Sequence, residues 1–393
     1  MKSLNIFKHA ITITLCFLII VITSLKHLWS VFIPFVESEF LVGRSVSVLP
    51  FSLLNIANII GFLSTNYLKV ALGIRKLLTL TGILMTLGLL LAALSPNIAL
   101  LIISYAFIYG LGNSFAYVIA VSLSVKQFSQ KKGVGIVTGV IVSAYSLGIL
   151  VLSPLTTYLI QYFSNWRTPL VIYSICAAII MSFSTILLSE PSETPISISR
   201  GFLEILKSKE YVLIASVLFL TTLFDGLIVG NLIPLIREIT GVDPMMASII
   251  MSIYSLTAII SRIAIGAISE YLGIARTLIV IYSLVLINAL LFRFYVSISL
   301  ITIGVSFSAI LFSANVTLAP LIAAQVWGKE RLEAAYSLLL TALVCGVLVG
   351  PLIGGISRDL TGSYYPGIYI ATVLLLLGIV ILSRVTKYIQ RRR

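Results

Sequence analysis

The stretch SIIMSIYSLTAIISRIAIGAISEYLGIART, residues 248–277, is apolar enough to cross a bilayer but carries an arginine near its middle. Small and polar residues recur along one face of the predicted helix every three or four positions: Ser255, Ala258, Arg262, Gly266 and Ser269. A guanidinium keeps its proton, so at bilayer depth it must face a partner, a water-filled cavity or an anionic ligand. The stretch therefore predicts a membrane helix with one buried cation.

Composition places the whole chain in the membrane. Of its 393 residues, 59% are hydrophobic and 10% are charged, whereas a soluble domain carries roughly a quarter of its residues as charges. The net charge of +13 does not indicate nucleic-acid binding, because no basic stripe with interleaved aromatics lies in a soluble unit. The three cysteines, Cys16, Cys176 and Cys345, lie in apolar runs without disulfide or metal-ligand spacing. We expect no metal and no cofactor.

Twelve stretches reach the roughly 20 apolar residues that a spanning helix needs: 9–35, 46–68, 76–95, 98–124, 134–160, 168–189, 211–236, 246–271, 274–293, 297–324, 334–357 and 364–386. The first run is too long for a signal peptide and has no convincing cleavage site, so we interpret it as a retained helix. A polar stretch at 190–210 predicts a cytoplasmic linker. It separates an N-terminal bundle of six helices, 1–189, from a C-terminal bundle, 211–393, that ends in a short basic tail.

The lysines and arginines give the predicted orientation. With both termini on one side, that side carries 19 of them, and the other side carries five: Arg44, Arg167, Arg237, Arg293 and Arg358. Because positive residues concentrate in cytoplasmic loops, both termini are predicted to be cytoplasmic. We expect a multi-pass protein of the plasma membrane.

The two halves repeat. Residues 33–37 (IPFVE) resemble 233–238 (IPLIRE), and Leu72-Gly73-Ile74 matches Leu272-Gly273-Ile274, both at an offset of 200. Ser153-Pro154-Leu155 resembles Gly350-Pro351-Leu352 at an offset of 197. Parallel six-helix repeats are typical of transporters with a site near the bilayer midplane. The predicted fold class is therefore an all-α integral membrane protein of two pseudo-symmetric six-helix bundles.

These residues resemble the major facilitator superfamily, over nearly the whole chain. The loop after helix 8 is similar to the cytoplasmic loop motif of that family, and its residues here are Gly266, Glu270, Gly273 and Arg276. The first-half copy keeps Gly73 and Arg75 but has Val70 where the acidic residue belongs. The resemblance implies a conformational role for these loops.

Within the superfamily, the chain resembles the branch of monocarboxylate and oxalate/formate transporters. The run from Gly346 to Tyr364 is similar to the helix 11–12 signature of monocarboxylate carriers. Gly110 to Tyr117, followed by Lys126 to Gly133, resembles helices 4–5 of the same branch. The resemblance implies that Arg262 binds the substrate carboxylate and that Tyr117 lies near the substrate. Some carriers have a polar or acidic residue one turn before this arginine, where this chain has Ala258.

Two buried charges carry the predicted chemistry. For Arg262 we weigh a carboxylate-binding role against a structural ion pair with a neighbouring helix. Asp225, inside helix 7, is costly as a bare carboxylate in lipid. It is either a proton-coupling site that is neutral when loaded, or a permanent partner of Arg262 or Lys26.

Helices 1 and 4 offer further candidates. Lys26 and His27 lie inside helix 1, and the offset of 200 places Lys26 opposite Gly226, next to Asp225. Either residue could contact substrate, whereas Lys26 could instead extend its amine toward the surface. A polar-aromatic face on helix 4 predicts a cavity or a helix interface, with Asn113 as a further substrate-binding candidate: Tyr105, Tyr109, Asn113 and Tyr117. The glycines of helices 5 and 11, among them Gly148, Gly346 and Gly350, are predicted to be close-packing positions.

The predicted function is secondary transport of a small, lactate- or pyruvate-like monocarboxylate with a proton, by alternating access and as a monomer. The bilayer, the organic anion and H⁺ are the expected partners; no nucleic acid is expected. The alternatives are an oxalate/formate-type exchanger, a drug or metabolite efflux carrier, and a membrane sensor without transport. Residues 336–356 contain no Lys or Arg, which favours one carboxylate over two. No enzyme is predicted, because no catalytic motif is present.

Overall fold

In a computed structural model of the protein, the described residues are 2–128, 134–188, 202–328 and 331–390. Within these ranges the chain is helical and contains no strand. Twelve of the helices are long and apolar enough to cross a membrane. The predicted all-helical, twelve-span class is therefore confirmed, and the protein is a multi-pass membrane protein.

The twelve membrane helices are numbered in chain order. Three of them contain irregular segments. Helix α1 consists of Lys2–Thr23, a 3₁₀ segment Ser24–Leu28, and Trp29–Phe40; α4 consists of Ile98–Ile102, a π-helical segment Ile103–Tyr109, and Gly110–Phe128; α7 is Lys209–Gly230, followed by a separate helix Leu232–Thr240. The other helices are α2 (Leu49–Leu72), α3 (Ile74–Ala93), α5 (Val134–Phe163), α6 (Thr168–Leu187), α8 (Pro244–Leu272), α9 (Ile274–Leu291), α10 (Ile298–Trp327), α11 (Leu332–Thr361) and α12 (Tyr365–Gln390).

The chain forms two compact units. The first contains Met1–Phe40 and Leu49–Pro195, and the second contains Leu41–Val48 and Ile196–Arg393. The connection between α1 and α2 thus packs as part of the second unit. Residues 190–201 of the predicted linker and the tail 391–393 lie outside the described residues, as does part of the stretch from Lys126 to Gly133. The linker as a domain boundary therefore stays a prediction.

The sequence predicted unbroken helices where α1 and α7 are interrupted. In α7 the interruption at Asn231 lies just before Pro234, whose ring clashes with the carbonyl four residues earlier. In α1 the 3₁₀ segment Ser24–Leu28 begins at two residues whose hydroxyls donate to their own helix. Thr23 Oγ1 donates to the Ile20 carbonyl (2.8 Å) and Ser24 Oγ to the Val21 carbonyl (2.7 Å), and such back-bonding bends helices.

Glycines set the closest helix contacts inside each unit, as predicted. A Cβ added at Gly350 of α11 would lie 2.5 Å from the Leu223 carbonyl oxygen and 2.6 Å from the Leu227 nitrogen, both on α7. A Cβ at Gly148 of α5 would lie 2.8 Å from the Val21 carbonyl oxygen of α1. These distances leave no room for a side chain, so the close-packing role of both glycines is confirmed.

The predicted glycine turns also form in both halves. Gly73 has φ 76° and ψ 159°, and Gly273 has φ 81° and ψ 153°. Each glycine ends one helix and precedes the next, with a backbone conformation that only glycine adopts without strain. The two loops therefore share one geometry, although the acidic residue is Glu270 in one and is replaced by Val70 in the other.

A short helix, Arg44–Ser47, precedes α2 and is capped by a residue far away in sequence. Its N-cap residue, Gly43, has no side chain to offer. The Asp359 carboxylate at the end of α11 accepts hydrogen bonds from the Arg44 nitrogen (2.7 Å), the Ser45 nitrogen (2.8 Å) and Ser45 Oγ (2.5 Å). Asp359 thus satisfies backbone N–H groups that every helix N-terminus leaves unpaired.

Candidate functional site

Arg262 lies on the boundary between the packed and the exposed faces of α8. The side chains of Ala258 and Ser261 are buried, whereas Ile260 is 59% exposed and Ile263 is 74% exposed. Arg262 itself is half-buried. The polar stripe predicted from sequence is therefore on the inward half of the helix, and the isoleucines face outward.

The Arg262 guanidinium lacks a protein partner within the part of the chain that the structure describes. Its Nε is buried without a hydrogen-bond partner, and no salt bridge among the described residues includes it. One turn further along α8, a Cβ added at Gly266 would meet no heavy atom within 4 Å. The alternative of a structural ion pair is not seen in the described residues, and the helix face beside the cation has open space.

Asp225 lies at the centre of a three-helix junction in the second unit. Its side chain is 1% exposed. Its Oδ1 accepts a hydrogen bond from Tyr254 Oη of α8 (2.8 Å) and another from Ser308 Oγ of α10 (2.6 Å). Tyr254 precedes Arg262 by eight residues, a rise of about 12 Å along α8. Asp225 is therefore held by two neutral donors, and Arg262 is not its ion-pair partner.

A second polar layer lies one helical turn before Asp225. Asn315 of α10 donates from Nδ2 to Thr221 Oγ1 (3.2 Å) and to Thr222 Oγ1 (3.1 Å) of α7. Tyr282 of α9 donates to Asn315 Oδ1 (2.5 Å). The amide and the hydroxyls satisfy one another, so this layer joins α7, α9 and α10 beside the Asp225 junction.

In the first unit, the polar face of α4 contacts the irregular part of α1. Tyr105 Oη donates to the Leu25 carbonyl (3.2 Å), and Asn113 Nδ2 donates to the Thr23 carbonyl (2.8 Å) and lies 2.9 Å from Tyr109 Oη. A 3₁₀ segment has poorer internal hydrogen bonds than an α-helix. Side-chain donors from α4 therefore support the segment that carries Lys26 and His27.

Tyr145 of α5 brings three predicted site residues together. The Lys26 amine lies 6.0 Å from the Tyr145 ring centroid. The rings of His27 and Tyr117 meet the same ring edge-on, with centroids 5.5 Å and 6.2 Å away. Lys26, His27 and Tyr117 thus form one cluster around Tyr145. The sequence analysis missed this tyrosine, whose one signal was its place three residues before the packing glycine Gly148.

The loop-motif residues are placed less tightly. Glu270 and Arg276 are both exposed, and no salt bridge joins them among the described residues. Gly266 lies inside α8, one turn after Arg262, and Arg75 is exposed at the start of α3. The motif forms the two glycine turns, and its charged residues face outward at the helix ends.

Two pseudo-symmetric sets of membrane helices, with buried charges in both, define a class: polytopic membrane transporters. The family model of the Major Facilitator Superfamily matches residues 13–318 and 214–392. The chain belongs to the Major Facilitator Superfamily.

Curated relatives narrow the branch. The chain is 24% identical over 324 residues to "Uncharacterized MFS-type transporter YhjX" of Escherichia coli, which covers 79% of each chain. It is 26% identical over 345 residues to "Monocarboxylate transporter 12" of Rattus norvegicus, covering 78% of this chain and 69% of the relative. It is 24% identical over 328 residues to "Monocarboxylate transporter 13" of the same organism, covering 79% and 73%. The predicted family and its monocarboxylate-like branch are confirmed, and the protein is a transporter of small molecules.

Proposed function

We propose that this transporter moves a small organic monocarboxylate of the lactate or pyruvate type across the plasma membrane together with a proton. The observation that carries the proposal is the Arg262 guanidinium, which is half-buried within a membrane helix and unpartnered among the described residues. A permanent cation in a membrane helix needs a partner, water or an anion, and no partner is seen among the described residues. A planar carboxylate fits the two-pronged donor geometry of a guanidinium.

The names of the relatives agree with this chemistry, because two of them are monocarboxylate transporters. A single carboxylate is favoured over a dicarboxylate because residues 336–356 of α11 offer no second cation. We assign further substrate contacts to Tyr117 and to His27 or Lys26, which share the Tyr145 cluster. Asn113 supports them, since its amide nitrogen is used on the Thr23 carbonyl of α1.

In the proposed cycle, substrate and proton bind before the transporter changes conformation. The substrate carboxylate neutralises Arg262 and the proton neutralises Asp225, so that the site carries no net charge when water leaves it. The units then alternate between conformations open to either side of the membrane. The glycine loops at Gly73 and Gly273 act in this change. The protein works as a monomer. Both of its termini lie in the cytoplasm, as the distribution of Lys and Arg indicates.

The test is uptake of labelled lactate into proteoliposomes containing the full chain, with and without an inwardly directed proton gradient. Arg262→Ala should reduce uptake by about 100-fold, because a charged hydrogen-bonded partner is lost. Arg262→Lys keeps the charge but not the two-pronged donor geometry, so it should reduce uptake less than Arg262→Ala does. Arg384→Ala, which removes an exposed cation at the end of α12, is the matched control and should match the wild type.

Each outcome separates the candidate functions. Stimulation by the proton gradient supports symport, whereas uptake only into vesicles preloaded with an anion indicates an oxalate/formate-type exchanger. Wild-type uptake by a folded Arg262→Ala protein would refute the role of Arg262. No transport of any carboxylate by the folded wild type would refute the substrate class and favour efflux of another compound or a sensor.

A further inference from the structure

We infer that Tyr254 and Ser308 are the positioning residues of the coupling site, which fix Asp225 so that the transported proton binds and leaves at Oδ2. The inference rests on the proposed function, because it specifies how the proton is handled at Asp225. Tyr254 and Ser308 belong to different helices, α8 and α10, and neither was singled out by the sequence analysis. They meet on one oxygen atom of a third helix, α7.

The geometry selects one oxygen of the carboxyl group. Both hydroxyls donate to Oδ1, at 2.8 Å from Tyr254 Oη and 2.6 Å from Ser308 Oγ. In a neutral carboxylic acid, the oxygen without the proton is the better acceptor. Oδ1 can therefore keep both hydrogen bonds whether Asp225 is neutral or ionised, and the proton is carried by Oδ2. Loading and unloading then need no rearrangement of the three side chains.

The glycine contacts around this turn of α7 involve neutral groups only. Helix α11 approaches α7 with glycines: a Cβ at Gly226 would lie 3.0 Å from the Gly346 carbonyl oxygen, and Gly350 lies against the Leu223 carbonyl. Helix α12 meets Thr221, one turn earlier, with Gly378. Among the described residues of the second unit, no cation forms a salt bridge with Asp225.

Neutral donors suit a site that must change its charge. A cation beside a buried carboxylate would keep it ionised throughout the cycle. A buried carboxylic acid without any hydrogen-bond donor nearby would rarely release its proton into the cell. Two hydroxyl donors lie between these extremes, since they stabilise the ionised form without a compensating charge. Tyr254 and Ser308 thereby make proton release possible after substrate has left.

This role separates two modes of transport. Net uptake requires Asp225 to bind a proton outside and release it inside in every cycle. Exchange of external for internal lactate can proceed with the proton left on Oδ2. Removal of the donors should therefore impair net uptake and spare exchange, whereas general damage to the fold should impair both.

The experiment compares Tyr254→Phe and Ser308→Ala in proteoliposomes containing the full chain. Lactate uptake into empty vesicles, driven by an imposed proton gradient, is divided by exchange into lactate-loaded vesicles at equal pH. We expect this ratio to fall about ten-fold in each variant, with exchange within about two-fold of the wild type, as for the loss of one strong hydrogen bond. Ser308→Thr keeps the hydroxyl and should restore the ratio.

Matched controls lie on the same helices. Tyr271→Phe removes an 87% exposed hydroxyl from α8, and Ser306→Ala removes a hydroxyl of α10 that donates to Thr302. Both should leave the ratio unchanged. The inference is overturned when net uptake and exchange fall together in Tyr254→Phe and Ser308→Ala, or when neither falls.

Asp225→Asn separates this inference from the proposed function. When Asp225→Asn loses net uptake but keeps exchange, the proton site is supported. If Asp225→Asn behaves in this way but the ratio is unchanged in the single variants Tyr254→Phe and Ser308→Ala, the positioning role alone is refuted. When Asp225→Asn retains wild-type net uptake, the proton-coupling role of Asp225 fails, and this inference fails with it.

Discussion

The first helix of each repeat, α1 or α7, contacts its neighbours at equivalent residues. Gly148 of α5 packs on Val21 and Ser24 of α1, and Gly346 of α11 packs on Phe219 and Thr222 of α7. Each residue of the second set is 198 positions after its counterpart in the first. The duplicated glycine contact therefore fixes both helix pairs in one register.

The two repeats differ on the other side of this contact. Asn113 of α4 donates to the Thr23 backbone carbonyl of α1, whereas Asn315 of α10 donates to the hydroxyl of Thr221, the counterpart of Thr23. Helix α1 changes to 3₁₀ geometry directly after Thr23, but α7 remains α-helical up to Gly230. In the first repeat the asparagine supports the backbone, and in the second repeat it joins side chains.

A two-residue difference in length accompanies the 3₁₀ segment of α1. From Thr23 to Pro34 there are 11 steps along α1, and from Thr221 to Pro234 there are 13 steps in the second repeat. Five residues in 3₁₀ conformation rise about 2.0 Å each instead of 1.5 Å, so the two segments span about 19 and about 20 Å. Stretching Ser24–Leu28 makes up for the two missing residues.

The register also changes which residues are equivalent. An offset of 200 places Lys26 opposite Gly226, whereas the packing offset of 198 places His27 opposite Asp225. The first repeat thus carries a base, His27, on a 3₁₀ segment where the second carries an acid, Asp225, on an α-helix.

The largest expected effect breaks the shared glycine contact. Gly346→Leu should destabilise the protein by about 3 kcal/mol or more, because backbone atoms of α7 leave no room for the side chain. Gly148→Leu should have a comparable effect in the first unit. The measurement is thermal unfolding of the purified protein in detergent, together with the monodisperse fraction.

Gly266→Leu is the control for these substitutions, because a side chain there enters open space. It should unfold at or above the wild-type temperature, since leucine is a better helix former than glycine. A well-folded Gly148→Leu protein beside an unfolded Gly346→Leu protein would show that the contact is not equivalent in the two repeats.

A medium effect is expected at the N-terminus of the second helix of each repeat. Asp243 caps α8 from its own chain position, with Oδ1 accepting from the Met245 and Met246 nitrogens at 2.8 and 3.1 Å. The residue 200 positions earlier is Gly43, and there the cap comes from Asp359. Backbone N–H groups at the helix N-terminus are therefore satisfied locally in one repeat and by a distant helix in the other.

Asp359→Ala should cost about 2 kcal/mol and Asp243→Ala about 1 kcal/mol, the range for the loss of an N-cap. Gly43→Asp supplies a local cap, but its Cβ would lie 2.7 Å from the Asp359 carboxylate. We therefore expect Gly43→Asp to destabilise the wild type and to restore part of the stability of Asp359→Ala. Thermal unfolding checks both signs, and additive effects of the two substitutions would contradict the distant cap.

Residue spacing predicted the parts of the fold that depend on one segment. The twelve helices follow from apolar length, the turns at Gly73 and Gly273 from glycine at a helix end, and the placement of Arg262 from the polar stripe around it. The close contacts of Gly148 and Gly350 also followed, because a small residue in a membrane helix signals packing.

The missed features depend on residues distant in sequence. The 3₁₀ segment Ser24–Leu28 needs donors from α4, and Asp359 caps a helix more than 300 positions away. Single tyrosines and serines are common in membrane helices, so Tyr254 and Ser308 gave no pattern to detect, and Tyr145 gave only its place three residues before Gly148. The sequence predicted which charged residues are buried, but it could not show which neutral side chains surround them.

The smallest effects are expected at the ion pairs that end the first helix of each repeat. Arg167 bonds Glu39 (2.5 Å) and also donates to the carbonyls of Ala93 (2.6 Å) and Ser95 (2.8 Å). Arg358 Nε bonds Glu238 (2.5 Å), and its side chain makes no further hydrogen bond among the described residues. The arginine side chains are 21% and 38% exposed, so solvent reaches the Arg358 guanidinium more readily than that of Arg167.

Glu238→Gln should therefore change the stability by at most about 0.5 kcal/mol, and Arg358→Ala by a similar amount. Arg167→Ala should cost about 1–2 kcal/mol, because two backbone carbonyls lose a charged donor. Thermal unfolding at low and high salt separates the causes: salt should weaken the contribution of Glu238, whereas most of the Arg167 contribution should persist. Equal losses for Arg167→Ala and Arg358→Ala, both removed by salt, would mean that the carbonyl contacts add nothing.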